Sequence, residues 1–486
     1  MQDYPVHERD VAEVVEHDLK SAAVSFDRYF REYDLLSVYA SGQFLLRDSY
    51  YGANQSVKDY GRSHDQTYNA GVQYKMNLSR ASLILGMETT GDFLLDEKLG
   101  YPDYENALIE NGILVSVPHV ENTTVSDQSA RTSGVFAQYD VRWNLVKLAL
   151  GGRYDVYGIR DLAKEGQEGK TGRVFSPRIS LMLELTDDLQ ARVSYSHGYR
   201  APQIFDEDLH IETSGSRQVI NVNDPELTQE SSHSVMASLD YNGLVGTVLT
   251  GLLVEGFYTR LLDPFVNEIG IPDDQGTVLY TRVNAEEGAT VKGLNSEFKL
   301  RPLRDFSLTS GFTVQSSHYD VPQEFEESRF FRTPGAYGYL VADWDVVPVL
   351  CLSATTTYTG SMLVPYFGPE TDPERGELRR STDFLDLGLK VEYTRQLNGI
   401  RLQWFGGVKN LFNAYQKDFD LGAERDPAYM YGPVSPRSVY VGLRLASLDQ
   451  KTGTPGVGPT GKGTSDRKAS RTRNRGRGRH SSHQVP

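Results

Sequence analysis

The feature that most limits what this chain can fold into is an alternation of apolar and polar residues sustained over long segments. In residues 401–409, Leu402, Trp404 and Val408 share one parity, and Arg401, Gln403 and Lys409 share the other. Residues 438–445 repeat the pattern, with Val439, Val441, Leu443 and Leu445 against Tyr440, Gly442 and Arg444. Leu385, Leu387, Leu389, Val391 and Tyr393 oppose Asp386, Lys390 and Glu392; Val135, Ala137, Tyr139, Val141 and Trp143 oppose Gln138, Asp140 and Arg142. Successive side chains of a strand point to opposite faces, so each segment has one oily and one wet face. Strands of a soluble sandwich usually run to about 5–6 residues. These runs reach roughly 9–15, with Tyr or Trp near their ends, which predicts an all-β fold: an antiparallel transmembrane β-barrel, apolar toward lipid, polar toward the lumen, with aromatic girdles.

Mean hydropathy is −0.45 and 39% of the residues are hydrophobic, values that suit a barrel because half of each strand is polar. No run approaches the roughly 18–20 apolar residues of a membrane helix. One cysteine, Cys351, excludes an internal disulfide framework. The first residues lack the basic and apolar regions of a signal peptide, so an outer-membrane destination implies that the chain is a fragment. The net charge is −15, yet residues 451–486 hold nine Lys or Arg and one acid, leaving −23 on the rest. That Gly/Pro/Thr-rich, then Arg-rich tail reads as disordered.

Short turns are predicted near 33–34, 77–80, 143–144, 186–188, 242–243, 302–305, 346–348 and 397–399, of which Asn242-Gly243 is the strongest hairpin signal. They alternate with long connections at 49–65, 92–129, 158–172, 200–228, 263–276, 319–332, 363–381 and 413–433. Short turns on one side and long loops on the other are how outer-membrane barrels are built. The count is about seventeen strands, the first near 19–31 and the last near 434–446. The domains expected are an outer-loop remnant over 1–18, a partial barrel over 19–446 and a disordered tail over 447–486. Bacterial barrels are even-numbered, so an odd count that finishes on a descending strand places strands before the first one seen here.

Several segments resemble the barrel of TonB-dependent outer-membrane receptors: Ser176-Pro177-Arg178-Ile179-Ser180, the run from Ser194 to Pro202, Leu227 to Glu230, Val291 to Glu297, Tyr358-Thr359-Gly360, Val408 to Asn413, and Pro436 to Leu443. Each is weak alone; their order over about 420 residues is specific. The resemblance implies a 22-stranded barrel in the outer membrane of a Gram-negative bacterium, filled by an N-terminal plug that TonB grips. On that reading the chain holds about 17 of 22 strands and lacks the plug, so TonB would act only through the missing part and the chain alone would not transport. The expected function is uptake of a metal chelate such as an iron–siderophore, with outer-membrane lipid and the chelate as partners. A haem or cobalamin receptor is the alternative, and a passive porin or adhesion barrel the competing class. No nucleic-acid partner is expected.

Nothing in the sequence has catalytic-triad or zinc spacing, so no catalytic or metal residue is expected, no resident cofactor, and no enzyme. Two places suit a ligand. The first is the long loop after Arg200, containing His210; haem receptors of the family bracket a haem-ligating His with similar boxes, and imidazole suits iron. A loop His in solvent is the plainer reading. The second is residues 418–433, where Arg425 offers a planar fork for anions and Tyr429 and Tyr431 offer flat area with a polar tip. The competing reading there is a loop packed on itself.

Overall fold

The computed structural model describes residues 11–31, 33–53, 55–57, 59–163, 169–203, 213–214, 217–271, 277–372, 375–397, 399–422, 425–426 and 428–447. Seventeen strands form one antiparallel sheet, each paired with its neighbours in the chain. They are β1 (Val11–Phe30), β2 (Asp34–Ala53), β3 (Tyr60–Asn77), β4 (Ala81–Leu99), β5 (Thr123–Trp143), β6 (Val146–Asp161), β7 (Lys170–Glu184), β8 (Leu189–Arg200), β9 (Glu230–Val245), β10 (Val248–Leu262), β11 (Ala289–Leu303), β12 (Phe306–Tyr319), β13 (Ala336–Val347), β14 (Leu350–Thr359), β15 (Phe384–Leu397), β16 (Ile400–Lys409) and β17 (Ser438–Ser447). Among the described residues β1 and β17 do not pair with each other. No described helix is long and apolar enough to cross a membrane.

Cross-strand register shows which face is which. Val38, Val72, Met87, Val135 and Tyr154 stand opposite one another across β2 to β6, forming one apolar row. One residue along, Tyr39, Gly71, Glu88, Gly134 and Asp155 form the adjacent row on the other face. On that polar face Arg153 donates to Glu88 at 2.8 Å, reaching across β5, and to Asp155 at 2.7 Å; Asn69 and Tyr39 also donate to Glu88. A side chain at Gly134 would fall 1.9 Å from Asp155 Oδ1, so glycine leaves room for the ion network. Asp155 is 3% exposed, whereas Met87 and Val135 are 57% and 54% exposed. A soluble protein hides its apolar side; this sheet converges its charges inward and turns its oil outward, the arrangement lipid requires. The row of Leu402, Trp404 and Val408 lies outward, in register with Leu445, Leu443 and Val439. Gln403, on the opposite face, joins Glu392, Thr394 and Arg444.

All eight short turns lie at one end of the sheet and all eight long connections at the other. Two expectations need correction. Asn242-Gly243 is not a turn: both residues lie in β9, opposite Gly251 and Thr250, and the chain reverses at Gly246, whose φ is +65°. Glycine at 243 leaves room for the Asp188 side chain, from the neighbouring turn, which sits 2.6 Å from where a Cβ would be, while Asn242 N donates to Asp188 O at 2.8 Å. The first strand begins at Val11 rather than near residue 19, so residues 11–18 are strand, not loop remnant; residues 1–10 and the tail beyond Ser447 lie outside the described residues. β1 to β5 run to 18–21 residues, although about 9–11 cross a bilayer. Their ladders continue above it as polar ribbon: Asp48 and Arg62, on the same face as Val38 and Val72, pair at 2.7 Å.

Candidate ligand-binding site

The long connections carry structure of their own. Residues 217–223 run parallel to 277–284, which pair antiparallel with 265–269, making a small sheet at the loop end. Asn284 clasps its base, donating to Asp263 O at 2.7 Å and accepting from Thr228 N at 2.8 Å. This sheet faces the 320–335 connection across a cavity of about 860 Å³. Arg200, at the top of β8, and Arg282 both place their guanidinium over the Phe265 ring, at 5.7 and 5.9 Å. Arg282 also donates to Gln203 O at 3.4 Å. Arg329, Phe330 and Phe331 supply the opposite wall. Phe330 packs on Tyr319 at 4.4 Å, and Arg329 is paired with Glu327 at 2.6 Å.

That pair responds to pH. Side-chain and backbone hydrogen bonds from Arg329 hold the Glu327 carboxyl down at about 2, below its ordinary 4.5. A depressed carboxyl stabilises the fold above its unfolded pKa and loses that contribution as it protonates. Amide protection at Ser328 and Arg329, whose N–H groups both donate to Glu327, is therefore expected to hold from neutral pH to about 4.5 and to fall progressively toward pH 2. Hydrogen exchange read as protection factors checks this; protection unchanged at pH 2 would contradict it.

The second expected site is built differently. Gln416, 1% exposed, donates to Tyr429 O and accepts from Tyr431 N, each at 2.9 Å. The Tyr429 and Tyr431 hydroxyls donate to Asp418 at 3.1 and 2.7 Å, and burial together with that carboxylate raises both phenol pKa values. Tyr429 is 3% exposed against Tyr366, and Arg379 caps the pair, 3.4 Å above the Tyr366 ring. Arg425 donates to Gly422 O at 3.1 Å. The loop is packed on itself, and Tyr429 in particular is a packing residue. Asp418→Ala leaves two hydroxyls without their acceptor, a loss of about 1–3 kcal/mol at a buried polar group, and is expected to speed proteolysis within 410–437 severalfold.

Arg200 thus lines a different region from Tyr429 and Tyr431, which meet at Asp418, while Arg425 holds Gly422 O and His210 lies outside the described residues. The two regions are tied together: Arg332 donates to Ala428 O and Met430 O, and Phe325 bridges Phe331 and Phe367 at 5.8 Å each. Phe325 takes a left-handed φ of +57°, uncommon for a bulky residue and a mark of enforced geometry. Phe265, Arg282, Phe330 and Phe331 escaped the sequence reading. Their signal was Arg and Phe recurring within long loops, visible only once two distant loops were known to face each other. Among the described residues no three or more His, Cys, Asp or Glu gather as a metal site.

The sequence matches the family described as TonB dependent receptor-like, beta-barrel, over residues 7–411. The chain belongs to that family. TonB-dependent receptors are transporters of the Gram-negative outer membrane, in keeping with the outward apolar rows. No curated protein sequence matches this receptor. Among solved structures it is similar to the ferric-catecholate import receptor Fiu from K12 E. coli, at 15% identity and TM-score 0.61, covering 89% of this chain and 64% of Fiu. It is similar to the siderophore receptor PiuA from Acinetobacter baumannii, at 12% identity and TM-score 0.61, covering 89% and 65%. The copper transporter OprC shares 12% identity at TM-score 0.65, covering 87% and 64%. The receptor therefore spans less than two thirds of the length of each.

Proposed function

We propose that the receptor captures an anionic metal chelate of the siderophore class in the cavity bounded by Arg200, Arg282, Arg329, Phe265, Phe330 and Phe331, as the first step of its uptake. The observation that carries this is the pairing of guanidiniums with aromatic faces around about 860 Å³ of space. Ferric catecholates and ferric citrate present carboxylate or phenolate oxygens around a compact, net-negative centre. Planar guanidinium forks suit those oxygens, and flat rings suit the ligand's apolar or aromatic parts. The volume fits the range of small-molecule sites, about 300–1,000 Å³. The similar solved structures, a ferric-catecholate import receptor and a siderophore receptor, support the same cargo class.

Equilibrium binding to the purified chain in detergent tests this, with a ferric catecholate, ferric citrate, a ferric hydroxamate, haem and cobalamin as separate ligands. The reading expects the anionic ferric chelates to bind tightest and their iron-free forms at least tenfold more weakly. Preference for haem or cobalamin over every ferric chelate would overturn it.

A further inference from the structure

The ladder between β7 and β8 stops early. Their pairing ends at Arg178 opposite Ser196, next to Pro177, which has no N–H to offer a neighbour. β8 continues with β9 alone up to Arg200 opposite Glu230, and Tyr199 leans across the opening to stack on Tyr157 of β6 at 6.0 Å. At this fork His197 and His233 stand directly opposite each other on the β8–β9 ladder. Their ring centres are 4.9 Å apart and their planes are tilted by 55°. Each ring is also engaged at Nδ1 by a hydroxyl: His233 by Tyr195 at 2.8 Å, and His197 by Ser176, from the other side of the fork, at 3.4 Å. Neither Nε2 has a hydrogen-bond partner among the described residues. Arg260, across from His233 on β10, is committed to Asp320 and Thr290.

We propose that His197 and His233 together bind a free divalent transition-metal ion of the Zn²⁺, Cu²⁺ or Ni²⁺ class through their two Nε2 atoms, with water completing the coordination. Two imidazoles that share one ion at about 2.0–2.1 Å put their ring centres about 5 Å apart, the separation this pair already has. The spacing is set by the ladder itself, because directly opposed residues of paired strands are close neighbours on a rigid element. A hydroxyl that accepts Nδ1–H leaves the lone pair on Nε2, the tautomer that metal binding needs. Such outer partners fix a ligand ring and raise its basicity, so Tyr195 is a positioning residue here. Imidazole suits Zn²⁺, Cu²⁺ and Ni²⁺, whereas Mg²⁺ and Ca²⁺ prefer oxygen. The bound ion ties β8 to β9 at the level where β7 lets go, three residues before Arg200.

The test titrates the full 486-residue chain in detergent with Zn²⁺ alone and reads hydrogen exchange over residues 194–200 and 230–236. A local readout is needed because the chain has ten histidines. Zn²⁺ is expected to slow exchange in both segments together, and Mg²⁺ to leave it unchanged. His197→Gln and His233→Gln are each expected to abolish the effect, and His318→Gln to preserve it. Tyr195→Phe keeps both imidazoles and removes only the hydroxyl on His233, so it also serves if a Gln variant disturbs the ladder; it is expected to raise the Zn²⁺ concentration required by about tenfold or more. The proposal is overturned by unchanged exchange with Zn²⁺ in excess, by equal protection from Mg²⁺, or by protection that survives in the His197 and His233 variants. Neither histidine lines the chelate cavity and no chelate is present in the titration, so this result and that of the proposed function are independent.

Discussion

Replacing Arg200 and Arg282 together by Ala is expected to weaken binding of an anionic ferric chelate by about two orders of magnitude. A hydrogen bond to a charged group contributes about 1.5–3 kcal/mol, so two losses at the lower end of that range amount to roughly 3 kcal/mol, or about 100-fold. Both guanidiniums are placed by one ring, Phe265, and by the 265–284 sheet behind it, so their geometry is set before ligand arrives. Lys at both positions keeps the charge but loses the fork and the stacking, and is expected to recover only part of the affinity. That intermediate result separates recognition by geometry from simple attraction. Affinity within twofold of the parent in the Ala variant would remove the cavity as the binding site.

The second large effect concerns the wall. Leu389→Arg, near the middle of β15 on the outward row, is expected to destabilise the folded receptor in lipid by about 2–4 kcal/mol, the cost of a cation facing mid-bilayer from a barrel. Leu389 pairs with Ala354 and Val408, and no acid shares that row within reach. Thr355→Arg, one register step away on the lumen face opposite Gly388, is expected to cost under about 1 kcal/mol, since lumen substitutions meet water. Urea unfolding in lipid vesicles compares the two. Equal costs would mean that both faces see the same medium.

These outcomes rest on what alternation alone conveys. The parity of Leu402, Trp404 and Val408, or of Val135 and Tyr139, assigns side chains to faces because the strand repeat is two residues and no distant contact can shift it by half a step. The count of seventeen strands and the alternation of short and long connections followed from the same signal. Asn242-Gly243 misled because the backbone need that glycine meets there is clearance for Asp188, a contact from another turn. The ends of β1 to β5 were set too short because the oily rows stop where lipid stops, whereas hydrogen bonding between strands does not. At Tyr429 and Tyr431 the residue types promised a ligand grip, and Gln416 and Asp418 use them for the loop itself. Arg200 was legible as a strand-end cation beside a long loop. Its partners Phe265, Arg282 and Phe330 were not, since only the folded loops bring them within reach of one another.

The central claim is that successive side chains of each long strand face hydrocarbon and water in turn. Spin labels placed singly at residues 385–392, in a Cys351→Ser background reconstituted in lipid vesicles, measure this through their relative collision rates with oxygen and with a water-soluble nickel chelate. The account predicts oxygen-dominated relaxation at 385, 387, 389 and 391 and nickel-dominated relaxation at 386, 388, 390 and 392. Inverted parity, or no alternation along β15, would contradict it.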